Sequence, residues 1–337
     1  MYAISGFGGV AHTINPRLFP DEIVYIINHA QDRVLFVDPS YVGFLIGHKH
    51  LLETVERFYI TGPKQNEIAA RMNGLEFLVD LLEEGDDSFQ WPQLDEDAAA
   101  VLCYTSGTTG QSKGAMLSQK NLLSNALTLS KAWEFTASDI LLHALPIYHT
   151  HGLFVATNIA LVSGSQIRFL KKFDVDDIIL NLPSTTVMMG VPTFYTRLLT
   201  NDKFNKETTK NMRLFISGSA PLLTETHREF EYRTGHKILE RYGMTETNMI
   251  TSNPYIGERK AGTVGIVLED VEIRIADLEI EEEVKKNGDI GVVEVKGPNV
   301  FKGYWKQPEK TKSEFRDDGY FITGDMGFLD HNNFLTI

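Results

Sequence analysis

The sequence predicts an α/β fold: a large region of parallel sheets flanked by helices, followed by a smaller β-rich subdomain. Three observations carry this. Helical and strand-like stretches alternate along most of the chain. β-rich runs such as TTVMMGVP (185–192) and MRLFISGSA (212–220) end in Gly, Pro or Ser, as strands do where ligands gather at their carboxyl ends. After about Gly265 the pattern changes to short alternating strands with Gly turns, which predicts a mainly antiparallel subdomain. The expected division is 1–264 for the α/β core and 265–337 for the β-rich part.

Each element has its own warrant. PDEIVYIINHA (20–30) carries a helical apolar stripe at Ile23, Ile26 and Ile27, and Pro20 and Asp21 are start signals. RVLFVD (33–38) reads as a buried strand. Residues 84–98 are acidic and broken by Trp91-Pro92, so they read as a surface connection. AAAVLCYT (98–105) is a strand that feeds a Gly- and hydroxyl-rich loop. SQKNLLSNALTLSKAW (118–133) is an amphipathic helix that Ser118 can cap. DILLHALP (139–146) is strand-like, and HGLFVATNIALVSG (151–164) is a buried helix. SQIRFL (165–170) and VDDIILNL (175–182) are the next strand and helix, and KILERYGMTET (237–247) is a strand followed by a polar turn. VEIRIAD, GDIGVVEVKG and GYFITGDMGFLD supply the late strands.

Composition excludes some classes. The formal net charge is −13, so no bulk basic face marks a nucleic-acid binder. No stretch approaches the length of a membrane span, and MYAISGFGGVAH lacks the basic start of a secretory signal. The one cysteine, Cys103, forbids an internal disulfide and suits a cytoplasmic location. Cys103 lies in an apolar run and reads as a small buried hydrophobe rather than a nucleophile. Oligomeric state is not legible.

The loop after AAAVLC reads YTSGTTGQSKG (104–114). Gly, Ser and Thr between a strand and a helix make an ordinary turn. They also suit a polyphosphate: glycines expose N–H groups as an anion nest, hydroxyls add donors, and Lys113 adds charge. The loop is neither a Walker A sequence, since Gly114 follows Lys113, nor a dinucleotide fingerprint. From the residues alone, both readings stand.

YTSGTTGQSKG resembles the signature loop of the acyl-adenylate-forming (AMP-binding) enzymes. PIYHTHG (146–152), SGSAPL (217–222), RYGMTET (241–247) and ITGD (322–325) match that family in order. The resemblance implies an acyl-CoA synthetase-like fold and a two-step reaction. A carboxylate attacks the α-phosphorus of ATP to give acyl-AMP and pyrophosphate, and the thiol of coenzyme A then displaces AMP. It implies that Thr105, Ser106, Gly107, Thr108, Thr109, Gly110 and Lys113 hold the β- and γ-phosphates. Thr245 binds the α-phosphate, Glu246 ligates Mg²⁺, and both are the catalytic assignments. Tyr242 stacks on adenine, Ser219, Ala220 and Pro221 line the base, and Asp325 accepts from the ribose hydroxyls. His149 lines the acyl pocket, whereas His151 is structural and Arg228 is a helix-surface charge.

HALPIYHTHGLF (143–154), MGVPTFYTRLL (189–199), FISGSAPLL (215–223) and RYGMTETNM (241–249) are most similar to malonyl-CoA synthetases within that family. A second carboxylate needs a cation, because burying it unpaired is costly. The resemblance gives that role to Arg197, helped by Ser217. The first hundred residues look more like medium- and long-chain fatty-acyl-CoA ligases, which would want an apolar wall instead. A non-catalytic nucleotide-binding fragment is the alternative of another class. The resemblance also implies that the core is N-terminally incomplete, and that a hinge and a small lysine-bearing domain would follow Ile337. On that reading, the chain alone would recognise ATP and the acid but adenylate poorly.

Overall fold

The computed structural model describes residues 1–64, 74–86, 88–105, 111–277 and 284–337. The chain forms two compact units, Met1–Met116 and Leu117–Ile337. It has the mixed α/β architecture expected of an acyl-CoA synthetase-like fold. No helix among the described residues is long and apolar enough to cross a membrane.

In the first unit, Val34–Val37, Arg57–Ile60 and Glu76–Phe77 form a parallel three-stranded sheet. The Pro20–Ala30 helix buries Ile23, Ile26 and Ile27, the stripe expected from sequence. Ile23 and Ile27 pack with Leu35, Leu45, Leu52 and Phe58. Val34–Val37 is not the fully buried strand that its apolar run predicts. It alternates, with Leu35 buried and Val34 and Phe36 exposed. Phe36 stacks on Tyr59 of the neighbouring strand at 5.6 Å. The reason is that packing covers one face, and a period of two sends every other side chain outward.

A second sheet orders Ala11–Thr13, Ala99–Thr105 and Lys113–Ser118. Here the expectation of a loop running from strand to helix is corrected. The loop joins two strands, and the Lys113–Ser118 strand (KGAMLS) lies between it and the next helix. Gly114, Ala115 and Leu117 are buried along it, and these small and apolar residues fit a packed strand.

The second unit is built on a seven-stranded sheet. Its order is Ile266–Val267, Asn248–Ser252, Leu239–Met244, Leu214–Ser217, Val187–Gly190, Ile140–His143 and Gln166–Phe169. The last five strands are mutually parallel, and the first two join antiparallel. Tyr195, Phe204, Phe215 and Phe230 fill the core beside it with perpendicular or tilted ring contacts. Glu272–Ala276, Gly291–Lys296, Phe321–Leu329 and Leu335–Thr336 form a separate antiparallel sheet, the late strands read from sequence.

The Gln119–Ala132 helix starts as predicted. Ser118 Oγ accepts from Asn121 N–H at 3.1 Å, and Asn121 Oδ1 accepts from Ser118 N–H at 2.9 Å. This reciprocal cap satisfies two orphan donors inside the protein. Ser118→Ala should cost about 1 kcal/mol of unfolding free energy, measured by urea denaturation. A change within experimental error would show that the cap carries no stability.

The 151–164 helix differs in one respect. Its first part, His151–Thr157, is π-helical, and regular α-helix resumes at Asn158–Ser163. His143 Nε2 and Thr157 Oγ1 both lie within hydrogen-bonding distance of the Gly152 carbonyl, at 2.8 and 2.9 Å. Both side chains are thus anchored on one carbonyl of the wider turn. Such turns are frequent at functional sites.

Candidate functional site

In the first unit, the strand Ala99–Thr105 delivers Thr105 to the start of the proposed phosphate loop, and Lys113 opens the strand that follows. Ser106, Gly107, Thr108, Thr109 and Gly110 lie outside the described residues. The Pro20–Ala30 helix touches both stems of the loop. His29 Nδ1 lies 2.6 Å from Tyr104 Oη, and Tyr25 Oη donates to the Ser112 carbonyl at 3.5 Å. Burial raises the Tyr104 phenol, which stays a neutral hydrogen-bonding group. Cys103 is buried, as expected for a small hydrophobe.

In the second unit, Leu239–Met244 carries Arg241 and Tyr242 on opposite sides of the strand. Tyr242 Oη donates to Asp325 Oδ2 at 2.6 Å, joining two residues that the sequence assigned separately to the nucleotide. Burial and then the Asp325 carboxylate raise the Tyr242 phenol. Ser219, Ala220 and Pro221 are exposed just beyond the Leu214–Ser217 strand. Ser219 has a φ of 69°, an uncommon value for a residue with a side chain.

The turn after Met244 holds Thr245 half-buried and Glu246 only 4% exposed. The Tyr304 hydroxyl lies 3.0 Å from Glu246 Oε1 and 2.6 Å from Glu314 Oε2. Burial, then the Glu246 carboxylate, raises the Tyr304 phenol. No group of three or more His, Cys, Asp or Glu side chains among the described residues could hold a metal by itself. A single hard carboxylate still fits Mg²⁺, which keeps waters and shares phosphate oxygens rather than filling an all-protein cage.

Beside this turn lies a group of buried polar atoms. Arg241 is 2% exposed, and its Nε and Nη1 have no hydrogen-bond partner among the described residues. Its Nη2 reaches Ser219 Oγ at 3.5 Å. Ser219 Oγ is in turn 3.3 Å from His151 Nδ1. Ser217 Oγ and His151 Nε2 are also buried without a partner. Gly218 makes room for the guanidinium, since a Cβ there would lie 2.5 Å from Arg241 Cζ. Burial pushes Arg241 down to about 9. Burial, followed by the Arg241 charge, holds His151 well below its ordinary value, so the ring is neutral.

The remaining residues weighed in the sequence are placed differently. His149 is exposed and packs on Tyr148 at 4.5 Å. Arg197 is exposed in the last turn of the Pro192–Leu199 helix, with its guanidinium 4.8 Å from the centre of the Phe173 ring. Arg228 is exposed on the Thr224–Thr234 helix, as expected. The sequence reading left Arg241 unassigned although it stands next to Tyr242. Alternation along the strand was the available signal: if Tyr242 faces the nucleotide side, Arg241 points to the other.

A family profile described as AMP-binding enzyme matches residues 1–305. The chain is 36% identical over 355 aligned residues to a malonate–CoA ligase of Arabidopsis thaliana, covering 98% of this chain and 55% of that protein. It is 29% identical to a medium-chain-fatty-acid–CoA ligase of Ectopseudomonas oleovorans, covering 100% and 64%. The ATP-bound crystal structure of MatB from Rhodopseudomonas palustris superposes with a TM-score of 0.89 at 50% identity, covering 98% and 63%. The chain thus spans a little over half the length of the malonate–CoA ligase it matches. Its signature segments, the strand-loop-strand at Thr105 and the site around Tyr242 and Glu246 agree with that match, and the chain belongs to the AMP-binding enzyme family.

Proposed function

We propose that the chain is the ATP- and acid-binding part of an AMP-forming acid–CoA ligase whose acid is malonate. The observation that carries the choice of acid is the buried group at Arg241. A cation, a hydroxyl and an imidazole nitrogen are buried with bonding capacity unused. Burying such groups without partners is costly, and a carboxylate would satisfy them. A fatty acyl chain would leave them unsatisfied. The malonate–CoA ligase relative supports the same acid.

On this reading the residues assigned by the resemblance act together with Arg241. One malonate carboxylate is held by Arg241, with Ser217 Oγ donating a hydrogen bond. The other attacks the α-phosphorus of ATP; an O–P bond forms as the bond to pyrophosphate breaks. Thr245 donates to the α-phosphate, and Thr105 and Lys113 with residues 106–110 hold the β- and γ-phosphates. Tyr242 stacks on adenine beside Ser219, Ala220 and Pro221, and Asp325 accepts from the ribose. Mg²⁺ held by Glu246 would offset charge on the phosphates. Coenzyme A thiol then attacks the acyl carbon and releases AMP. The protein's contribution is placement and charge, the usual terms for such a transfer. His149 and Arg197 remain candidates for the outer part of the acid site.

A binding panel tests the reading. By calorimetry, the chain should bind malonate and methylmalonate in the presence of Mg·ATP, and should not bind octanoate. Octanoate binding without malonate binding would replace the dicarboxylate reading with the fatty-acyl one. Absence of ATP binding would overturn the ligase reading itself.

A further inference from the structure

We propose that Tyr304 and Glu314 are positioning residues for Glu246: they form a relay that fixes the orientation and donor strength of its carboxylate as a metal ligand. The proposal rests on the reading of Glu246 as the Mg²⁺ ligand and extends it to two residues outside the signature segments.

The geometry is a continuous chain of charged and polar groups. Lys310 Nζ lies 2.6 Å from Glu314 Oε1. Glu314 Oε2 is 2.6 Å from Tyr304 Oη, which is 3.0 Å from Glu246 Oε1. The backbone fixes each link. Phe301 N–H donates to the Glu246 carbonyl at 2.7 Å, and Tyr304 N–H donates to Thr311 Oγ1 at 2.9 Å. Ile322 N–H donates to the Glu314 carbonyl at 2.9 Å, tying the relay to the strand that bears Asp325. Tyr304 is 3% exposed, so water does not compete for its hydroxyl.

A phenol carries one proton, and here two carboxylates face it. When the proton is given to Glu246, that carboxylate is a weaker donor to a cation. When Glu314 takes the hydrogen bond, Glu246 keeps its full charge, and Lys310 offsets the charge on Glu314. The shorter contact is the one to Glu314. Outer contacts of this kind orient a ligating side chain and tune its strength, and their loss typically costs about 10–100-fold in metal affinity.

The test titrates Mn²⁺ into the chain with ATP present and follows free Mn²⁺ by its paramagnetic resonance signal. Tyr304→Phe keeps the ring and removes the hydroxyl. By removing the hydroxyl that positions Glu246 Oε1, it should weaken Mn²⁺ binding about 10-fold, the lost orientation outweighing any gain in carboxylate charge, while metal-free ATP binding is unchanged. Glu314→Gln, at a less buried position, should weaken it in the same direction by less, because the amide no longer draws the phenol proton from Glu246. Glu246→Gln is the reference and should abolish the tight site. If Glu246→Gln loses the site while both relay variants bind Mn²⁺ like wild type, the relay is wrong, even if they unfold at lower temperature. If Glu246→Gln binds Mn²⁺ normally, the metal reading fails and the relay falls with it.

Discussion

Arg241→Met is expected to destroy malonate binding and at the same time to stabilise the ligand-free protein. The two effects have one cause. The guanidinium is buried, and among the described residues its Nε and Nη1 have no partner. Among the described residues its one side-chain hydrogen bond is the 3.5 Å approach to Ser219. Burial alone is enough to push it down to about 9. Folding therefore works against this charge. Replacing buried charged groups with apolar ones of similar volume often raises stability by about 1–4 kcal/mol, and a gain in that range is expected here by urea denaturation. Binding goes the other way. Losing one partner of a buried, hydrogen-bonded charge pair costs about 2–5 kcal/mol, so malonate affinity should fall from about 30-fold to several thousand-fold. The pH dependence has a definite sign. Above about 9 the free site has given up a proton that the malonate complex must take back, so wild-type affinity falls as pH rises through that value. Arg197→Ala is the decisive comparison. Arg197 is exposed and lies against Phe173, where a solvated cation contributes little. If Arg197→Ala abolishes malonate binding while Arg241→Met leaves it intact, the carboxylate clamp is Arg197 and the assignment drawn from burial is wrong.

The contrast between these two arginines shows what was legible in the sequence. Helix and strand positions were, because apolar period and caps are local: Ile23, Ile26 and Ile27 lie on one face, and Ser118 caps as read. The residues that the resemblance assigns to the nucleotide were picked out by the order of their motifs, and two of them, Tyr242 and Asp325, meet in the structure. Burial of a polar residue was not. Nothing local to THREF, YTRLL or ERYGM says which arginine loses its water, since that depends on the strands and on Gly218 brought beside it. The strand at Lys113–Ser118 was missed for a related reason: its small residues signal packing only once a neighbouring strand is known. Tyr304 and Glu314 were invisible because they reach Glu246 only through the fold, about sixty residues apart in sequence.

Gly243→Ala should be among the most damaging single-methyl changes in the chain, and its position makes the effect both structural and functional. Gly243 sits between Tyr242 and Met244 where Leu239–Met244 turns back into Asn248–Ser252, and the pairing register shifts between Tyr242 and Gly243. An added Cβ would lie 1.9 Å from the Asn248 carbonyl oxygen and 2.7 Å from Met249 Cα. Both are backbone atoms of the paired strand, so no side chain can rotate away. Relief requires the hairpin to open, and the turn inside it holds Thr245 and Glu246. Overpacking of this kind costs about 3 kcal/mol or more when the neighbours cannot move. Within the turn the bonds are long, with Thr247 N–H to the Met244 carbonyl and Met244 N–H to Thr247 Oγ1 both at 3.3 Å, so its firmer ties are to the 299–304 segment. The expected result is a large drop in unfolding free energy, with Mn²⁺ binding weakened in whatever protein stays folded. Gly47→Ala supplies the control. It lies within the Val42–His48 helix with nothing within 4 Å of its added Cβ, so alanine there should stabilise by about 1 kcal/mol. A Gly243→Ala protein as stable as wild type, with Mn²⁺ binding intact, would mean that the hairpin is not closed as tightly as its geometry requires. The Glu246 site would then have to be held by something other than this turn.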